Sequence, residues 1–307
     1  MMKSLFSGSM AVAVAPPLEK PARSETMWAQ TSRRLKKSNT AVFGLVVVVF
    51  LVLVAIFADV IAPYSPTANN PNATFEAPSS KHLLGTDQLG RDMMSRIVHG
   101  SRVSLTIGLS SVVLAIFVGV PLGVIAGFYG GKFDTLIMRA MDVILSFPVI
   151  LLAIIIMVMF TPTDGFWGIV KVTGAVAIVR VPIYARLVRG SVLSIKEKEY
   201  IEACRALGQR DPLVLIRHIL PNCLAPIIVA GTLSVATAII VEASLSFLGV
   251  GVQPPTPSWG WDLKANVAWI QESPWLALCP GFAIFITVLS FNLFGDGLRD
   301  ALDPRLK

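Results

Sequence analysis

The sequence predicts an all-α membrane protein with six transmembrane helices, an external segment between spans 1 and 2, and a cytoplasmic helical hairpin between spans 4 and 5. Three observations predict it. Of the 307 residues, 54% are hydrophobic and 15% charged, with a mean hydropathy of +0.70. Soluble domains carry about 25% charged residues, so this much apolar surface needs lipid as its solvent. Second, residues 41–58, 103–131, 143–163, 223–241 and 274–295 are uncharged apolar stretches, each near the roughly 20 residues that cross a hydrocarbon core. A sixth, 165–184, is interrupted only by Lys171 and Arg180, each near an end, from where it can snorkel along its own methylene stem. Third, six spans with a cytoplasmic N-terminus place 20 of the 26 Lys and Arg residues inside, as the positive-inside rule requires. Removing the weak span would put the eight basic residues of 180–222 outside.

The N-terminal 40 residues read as a cytoplasmic tail. Residues 1–32 are expected to be poorly ordered, and Arg33, Arg34, Lys36 and Lys37 anchor the first span. A cleaved signal peptide would need the short run 10–15 as its apolar region, whereas the long apolar run follows the basic cluster. In the second span Gly119, Gly123 and Gly127 recur every fourth residue, which permits close approach of another helix of this chain or of a second subunit. Pro148 removes a backbone donor and kinks the third span. After the fourth, Ser194-Ile-Lys-Glu197 has capping-box spacing, a helical pattern runs to a stop at Gly208, and Asp211-Pro212 offers an N-cap and a first-turn proline for a second short helix ending at Pro221. Tyr200, Ile201, Cys204 and Leu207 lie on one side of the first helix, and Lys198, Glu202 and Arg205 line another. Such a pair rests on the bilayer or presents a docking face to a soluble partner. Glu242 is a carboxylate within an apolar stretch; it lines a pathway or is hydrogen-bonded structurally near the outer end.

The chemistry inventory is short. Cys204, Cys223 and Cys279 are odd in number and widely spaced, so they read as apolar packing residues rather than a disulfide or zinc framework. His82, His99 and His218 share no helix face with a second ligand. No HExxH, GxSxG or GxxxxGK[ST] pattern occurs; Gly131-Lys132 is followed by Phe133. The net charge of +7 is carried by loops, without a basic recognition helix, which sets nucleic acid aside.

The stretch Glu199-Tyr-Ile-Glu-Ala-Cys-Arg-Ala-Leu-Gly208, followed by Arg217-His-Ile-Leu-Pro-Asn222, resembles the EAA loop of importer permeases of the ATP-binding cassette class. Glu202, Ala203, Gly208, Leu220 and Pro221 match, and Cys204 replaces the second alanine. His82-Leu-Leu-Gly-Thr-Asp87, Leu89-Gly-Arg-Asp92, Ser95-Arg96, Gly100 and Arg102 resemble the external segment of dipeptide and oligopeptide permeases. Ser246-Phe-Leu-Gly-Val-Gly251 through Trp259-Gly260 and the ending Asn292 to Lys307 are similar to the same branch, and the long first external loop points to its C-type subunit.

The resemblance implies a domain order: tail 1–40, first helix 41–58, external segment 59–102, core permease domain 103–295 with the EAA loop at 189–222, and a cytoplasmic tail 296–307. It implies a bacterial inner-membrane protein with both termini cytoplasmic. Its partners would be a second homologous permease, two ATPase subunits holding ATP and Mg, and an external solute-binding protein that delivers a peptide. No cofactor or catalytic residue is implied in this chain. The coupling loop would comprise Glu199, Tyr200, Glu202, Ala203, Cys204, Arg205, Ala206, Leu207, Gly208, Leu220 and Pro221. Relatives also handle glutathione and nickel complexes. An ion-coupled carrier is the rival class, but it would place more ionisable groups at the midplane than Glu242.

Overall fold

Short polar breaks divide the apolar runs into helices, and the computed structural model describes them over residues 27–160 and 165–302. Residues 1–26 of the expected tail, 161–163 of the third predicted span and 303–307 of the C-terminal tail lie outside the described residues. The basic cluster belongs to a helix, α1 (Met27–Lys37), so the expected irregular tail does not extend to residue 32. The Ser38 hydroxyl then accepts the Ala41 amide and starts α2 (Asn39–Ile56), the first span. After α3 (Ala58–Ile61) and an irregular segment, the Asp92 carboxylate caps α4 (Met93–Tyr129) by accepting the Ser95 amide at 2.7 Å.

At 37 residues α4 is about 55 Å long. It starts ten residues before the predicted span because Arg96, polar enough to mark a loop in sequence, is neutralised by Asp262 of α11 (Trp259–Asn266).

The third span is the main correction. Helix α5 (Gly131–Leu145) and helix α6 (Val149–Val158) meet at an 89° bend, so Pro148 begins a new helix rather than kinking one. The charged face of α5 explains why: Asp134 takes Arg189 at 2.5 and 2.6 Å, and Asp142 takes Arg186 at 2.5 Å, both from α7 (Gly165–Lys196). These pairs hold α5 against α7 and leave only ten residues, about 15 Å, for α6.

The fourth helix, α7, is 32 residues long and continues twelve residues past the predicted span. This extension puts Arg180 mid-helix and 5% exposed. The expected snorkelling of Arg180 from an end is therefore not what the fold does.

Helix α8 (Glu199–Ala206) and helix α9 (Asp211–Val214) form the hairpin, and a π turn over Leu215–Ile219 joins α9 to α10 (Leu220–Leu248). The chain is helical without interruption over Asp211–Leu248. The expected second short helix is thus the start of the fifth span, and Pro221 does not end it. The wider turn, in which the Leu220 amide donates to the Leu215 carbonyl, makes room for a proline ring that would clash with the carbonyl four residues back. Helix α12 (Pro274–Leu302) completes the bundle. Five helices are long and apolar enough to cross a membrane, and the bent pair α5–α6 makes a sixth if counted as one span.

Glycines set the central packing. A Cβ at Gly119 would lie 2.8 Å from the Val181 carbonyl, at Gly123 2.4 Å from that of Ala185, and at Gly127 3.0 Å from that of Arg189. The four-residue stripe therefore brings α4 against α7 of the same chain. Two apolar cores follow. The larger joins α2, α4, α7 and α10, and the smaller seals the end of the bundle that carries the hairpin.

Candidate functional site

The hairpin is built on the end of α7. Lys196 Nζ donates to the Gly127 carbonyl at 3.0 Å, tying that end to α4. Because α7 runs to Lys196, Ser194 sits in its last turns and the expected Ser194–Glu197 capping box does not start α8. Extended Lys198 (φ −80°, ψ 141°) does so, its carbonyl accepting the Ile201 amide at 2.9 Å. Glu199 and Glu202 in the first turn and Arg205 in the last complement the helix dipole.

The predicted apolar side of α8 is divided. Ile201 is wholly buried and Cys204 half-buried, whereas Tyr200 is exposed and Leu207 is 88% exposed. Ile201 packs with Phe128 of α4, Val188, Val192 and Ile195 of α7, Val214 of α9, and Ile219, Cys223 and Ile227 beyond it. The Arg205 guanidinium lies over the Phe128 ring, 5.3 Å from its centroid, which adds a cation–π contact to this anchorage. One face of α8 is thereby clamped to three spans.

The other face is open. Glu199, Tyr200, Glu202, Ala203, Ala206, Leu207 and Gly208 are all exposed, as are Leu213 and Ile216 on the returning arm of the hairpin. Helix α8 ends in a Schellman motif: the Gly208 amide donates to the Arg205 carbonyl at 2.9 Å and the Gln209 amide to that of Cys204 at 3.0 Å. Gly208 has φ +78°, which a residue with a Cβ resists. Arg210, rather than Asp211, takes the N-cap position of α9, with Asp211 and Pro212 in its first turn. Leu220 and Pro221 lie where the π turn joins α10, Pro221 exposed.

At the opposite end, the segment between α3 and α4 is pinned to the loop after α10. Asp87 accepts the Leu89 and Arg91 amides and the Arg91 side chain; Trp259 Nε1 donates to the Ile97 carbonyl at 2.9 Å. A Cβ at Gly100 would lie 2.8 Å from that indole, and one at Gly260 2.3 Å from the Ala243 carbonyl. Asp59 is held below its ordinary value by hydrogen bonds from Arg102 and then His99.

Glu242 is fully buried and accepts hydrogen bonds from Ser104 and Ser246, each at 3.0 Å. These two bonds supply the hydrogen-bonded packing expected of a buried carboxylate. Sequence reading missed Tyr184, which is wholly buried one turn after Arg180, its hydroxyl without a partner in hydrogen-bond geometry among the described residues. A helical spacing of four between a cation and a phenol was the available signal. No three His, Cys, Asp or Glu side chains gather at metal-binding distance among the described residues.

Residues 119–307 match the family model described as "binding-protein-dependent transport system inner membrane component", and residues 26–78 match the N-terminal transmembrane domain of oligopeptide transport permease C. The dipeptide transport system permease protein DppC of Alkalihalophilus pseudofirmus is 45% identical over 95% of each chain. The glutathione transport system permease protein GsiD of Shigella boydii is 45% identical over 97% of each. Di/tripeptide permease DppC of Pseudomonas aeruginosa is 41% identical over 95% of each. Among solved structures, a chain of the MetNI methionine ABC transporter in an inward-facing conformation superposes with a TM-score of 0.56 at 20% identity. The match covers 69% of this chain and 98% of that one, a likeness of fold.

Proposed function

The chain belongs to the family of binding-protein-dependent transport system inner membrane components, and from that premise we propose that it is one of two permease subunits lining the pathway of an ATP-driven peptide importer. As a member it is a multi-pass inner-membrane transport component rather than an enzyme. In our reading the hairpin faces the cytoplasm together with both termini, α5–α6 is the third, broken crossing, and the irregular segment between α3 and α4 faces outward. Two ATPase subunits bind beneath, and a solute-binding protein delivers peptide from above.

The observation that carries this proposal is the two-faced α8. Its buried face is fixed to α4, α7 and α10, and its open face presents Tyr200 and Leu207 beside Glu199 and Glu202. A short helix held this way moves with the spans when an ATPase pushes on it. ATP binding then biases one of two packed states without any catalytic group in the permease. Peptides are the favoured solute because the similar permeases are named for dipeptides and di/tripeptides. Glutathione, itself a tripeptide, is the second reading, supported by an equally similar permease.

Gentle-detergent purification of the tagged chain from native membranes tests the assembly. The expected result is recovery of a second six-span permease and phosphate-loop ATPases, and ATP-dependent dipeptide uptake once the complex is in proteoliposomes with its binding protein. Recovery of the chain alone, with uptake driven by an ion gradient, would replace the proposal with a secondary carrier.

A further inference from the structure

Arg180 is the sixteenth of the 32 residues of α7, so about 22 Å of helix separates it from Gly165 and about 24 Å from Lys196. Helical Cα–Cβ bonds tilt toward the N-terminus, which leads its stem away from Arg186 and Arg189, the two arginines already paired with Asp142 and Asp134. Around it Val176, Ala177, Val179 and Val181 are buried. The guanidinium has no hydrogen bond or ion pair to any described residue, and its Nε is sealed from solvent. One turn on, the Tyr184 hydroxyl is sealed as well; it has no partner in strict hydrogen-bond geometry among the described residues, and the buried Ser234 side chain of α10 is the group near enough to interact with it. Glu242, the carboxylate buried in the same bundle, is already taken by Ser104 and Ser246.

A charge at this depth persists where it has a counter-charge or a task. The chemistry of the cluster defines the missing partner. Arg offers a planar fork of N–H donors and no acceptor, and Tyr and Ser each offer an O–H; among the described residues, Arg180 Nε and the Tyr184 hydroxyl have no partner in hydrogen-bond geometry. Two parallel N–H donors match the two oxygens of a carboxylate, with the phenol able to donate to a remaining lone pair.

We infer that Arg180, Tyr184 and Ser234 form a carboxylate-binding subsite inside the bundle, which receives the free carboxylate of the peptide as it passes. The inference rests on the peptide-permease reading above. Dipeptides, tripeptides and glutathione all carry such a group. Because Arg180 lies on the helix that leads directly into α8, a ligand held there touches the element that the ATPases move.

The test uses the whole complex in proteoliposomes with its solute-binding protein, and radiolabelled dialanine and glutathione as probes. Arg180→Ala is expected to assemble with normal stoichiometry and to lower uptake at least tenfold, with Arg180→Lys restoring much of it and Tyr184→Phe giving a smaller loss. In a complex whose Cys204, Cys223 and Cys279 are replaced by serine, Arg180→Cys should react with an anionic methanethiosulfonate reagent added in water. Uptake by Arg180→Ala within twofold of the unaltered complex overturns the inference. Failure of that variant to assemble, with Arg180→Cys unlabelled, does so too, since the counter-ion is then a fixed carboxylate of the second permease. If the unaltered complex takes up neither probe, the peptide reading fails by itself. Labelling of Arg180→Cys then still supports an anion subsite on the pathway, and no labelling overturns it.

Discussion

Gly208 carries two requirements at one position. Its φ of +78° closes α8, and the direction a Cβ would take is open, with no atom within 4 Å. Any substitution strains the backbone by about 1 kcal/mol, but a small side chain meets nothing within the chain. Gly208→Ala should therefore keep most uptake. Gly208→Trp projects a large ring from the exposed end of the hairpin and should abolish uptake while the chain still inserts and ATP hydrolysis continues uncoupled. Paired assays of transport and ATP hydrolysis separate these outcomes, and normal uptake by Gly208→Trp would remove the docking role. The glycine was readable as a helix stop because that role is local. The division of Tyr200 and Leu207 from Ile201 was not, since it depends on where α4 and α10 stand.

At the scale of elements, the α4–α7 contact depends on backbone approaching backbone. A Cβ at Gly123 would sit 2.4 Å from the Ala185 carbonyl oxygen and 2.9 Å from Val188 Cβ. Neither is the flexible end of a side chain, so the helices must separate. Gly123→Val should destabilise the bundle by about 1–3 kcal/mol or more, on the scale of core overpacking, and be seen as reduced yield and a lower unfolding temperature in detergent. Gly281→Ala in α12, with nothing within 4 Å, is the matched control and should leave both unchanged or slightly raised. The stripe itself was legible from its spacing of four, but whether its partner was this chain or another was open, because the sequence does not say which helix lies alongside.

For the whole molecule, the orientation proposed above has a direct test. With the three native cysteines replaced, Leu207→Cys should react with an impermeant thiol reagent only after the membrane is opened, and Lys81→Cys in intact cells. The reverse pattern would invert the topology and place the hairpin outside. The exposed hydrophobic residues along α2, α4, α6, α7 and α12 form the kind of extended apolar surface that marks contact with a membrane or another protein.

Composition and hydropathy determined the class, the five long apolar helices and the position of the hairpin between α7 and α10, because transfer of apolar helices into lipid depends on local residue content. The EAA-like residues and the glycine stop were likewise local patterns. Tertiary structure decided the rest. It bent the third crossing by 89° through the Asp134–Arg189 and Asp142–Arg186 pairs, fused the second hairpin helix with the fifth span, and lengthened α4 around the Arg96–Asp262 pair. It also placed Arg180 deep in the bundle, its Nε without a partner among the described residues. In each case a charged or proline residue was read by its own cost, whereas its fate depended on a group up to 166 residues away that pairs with it, or is absent.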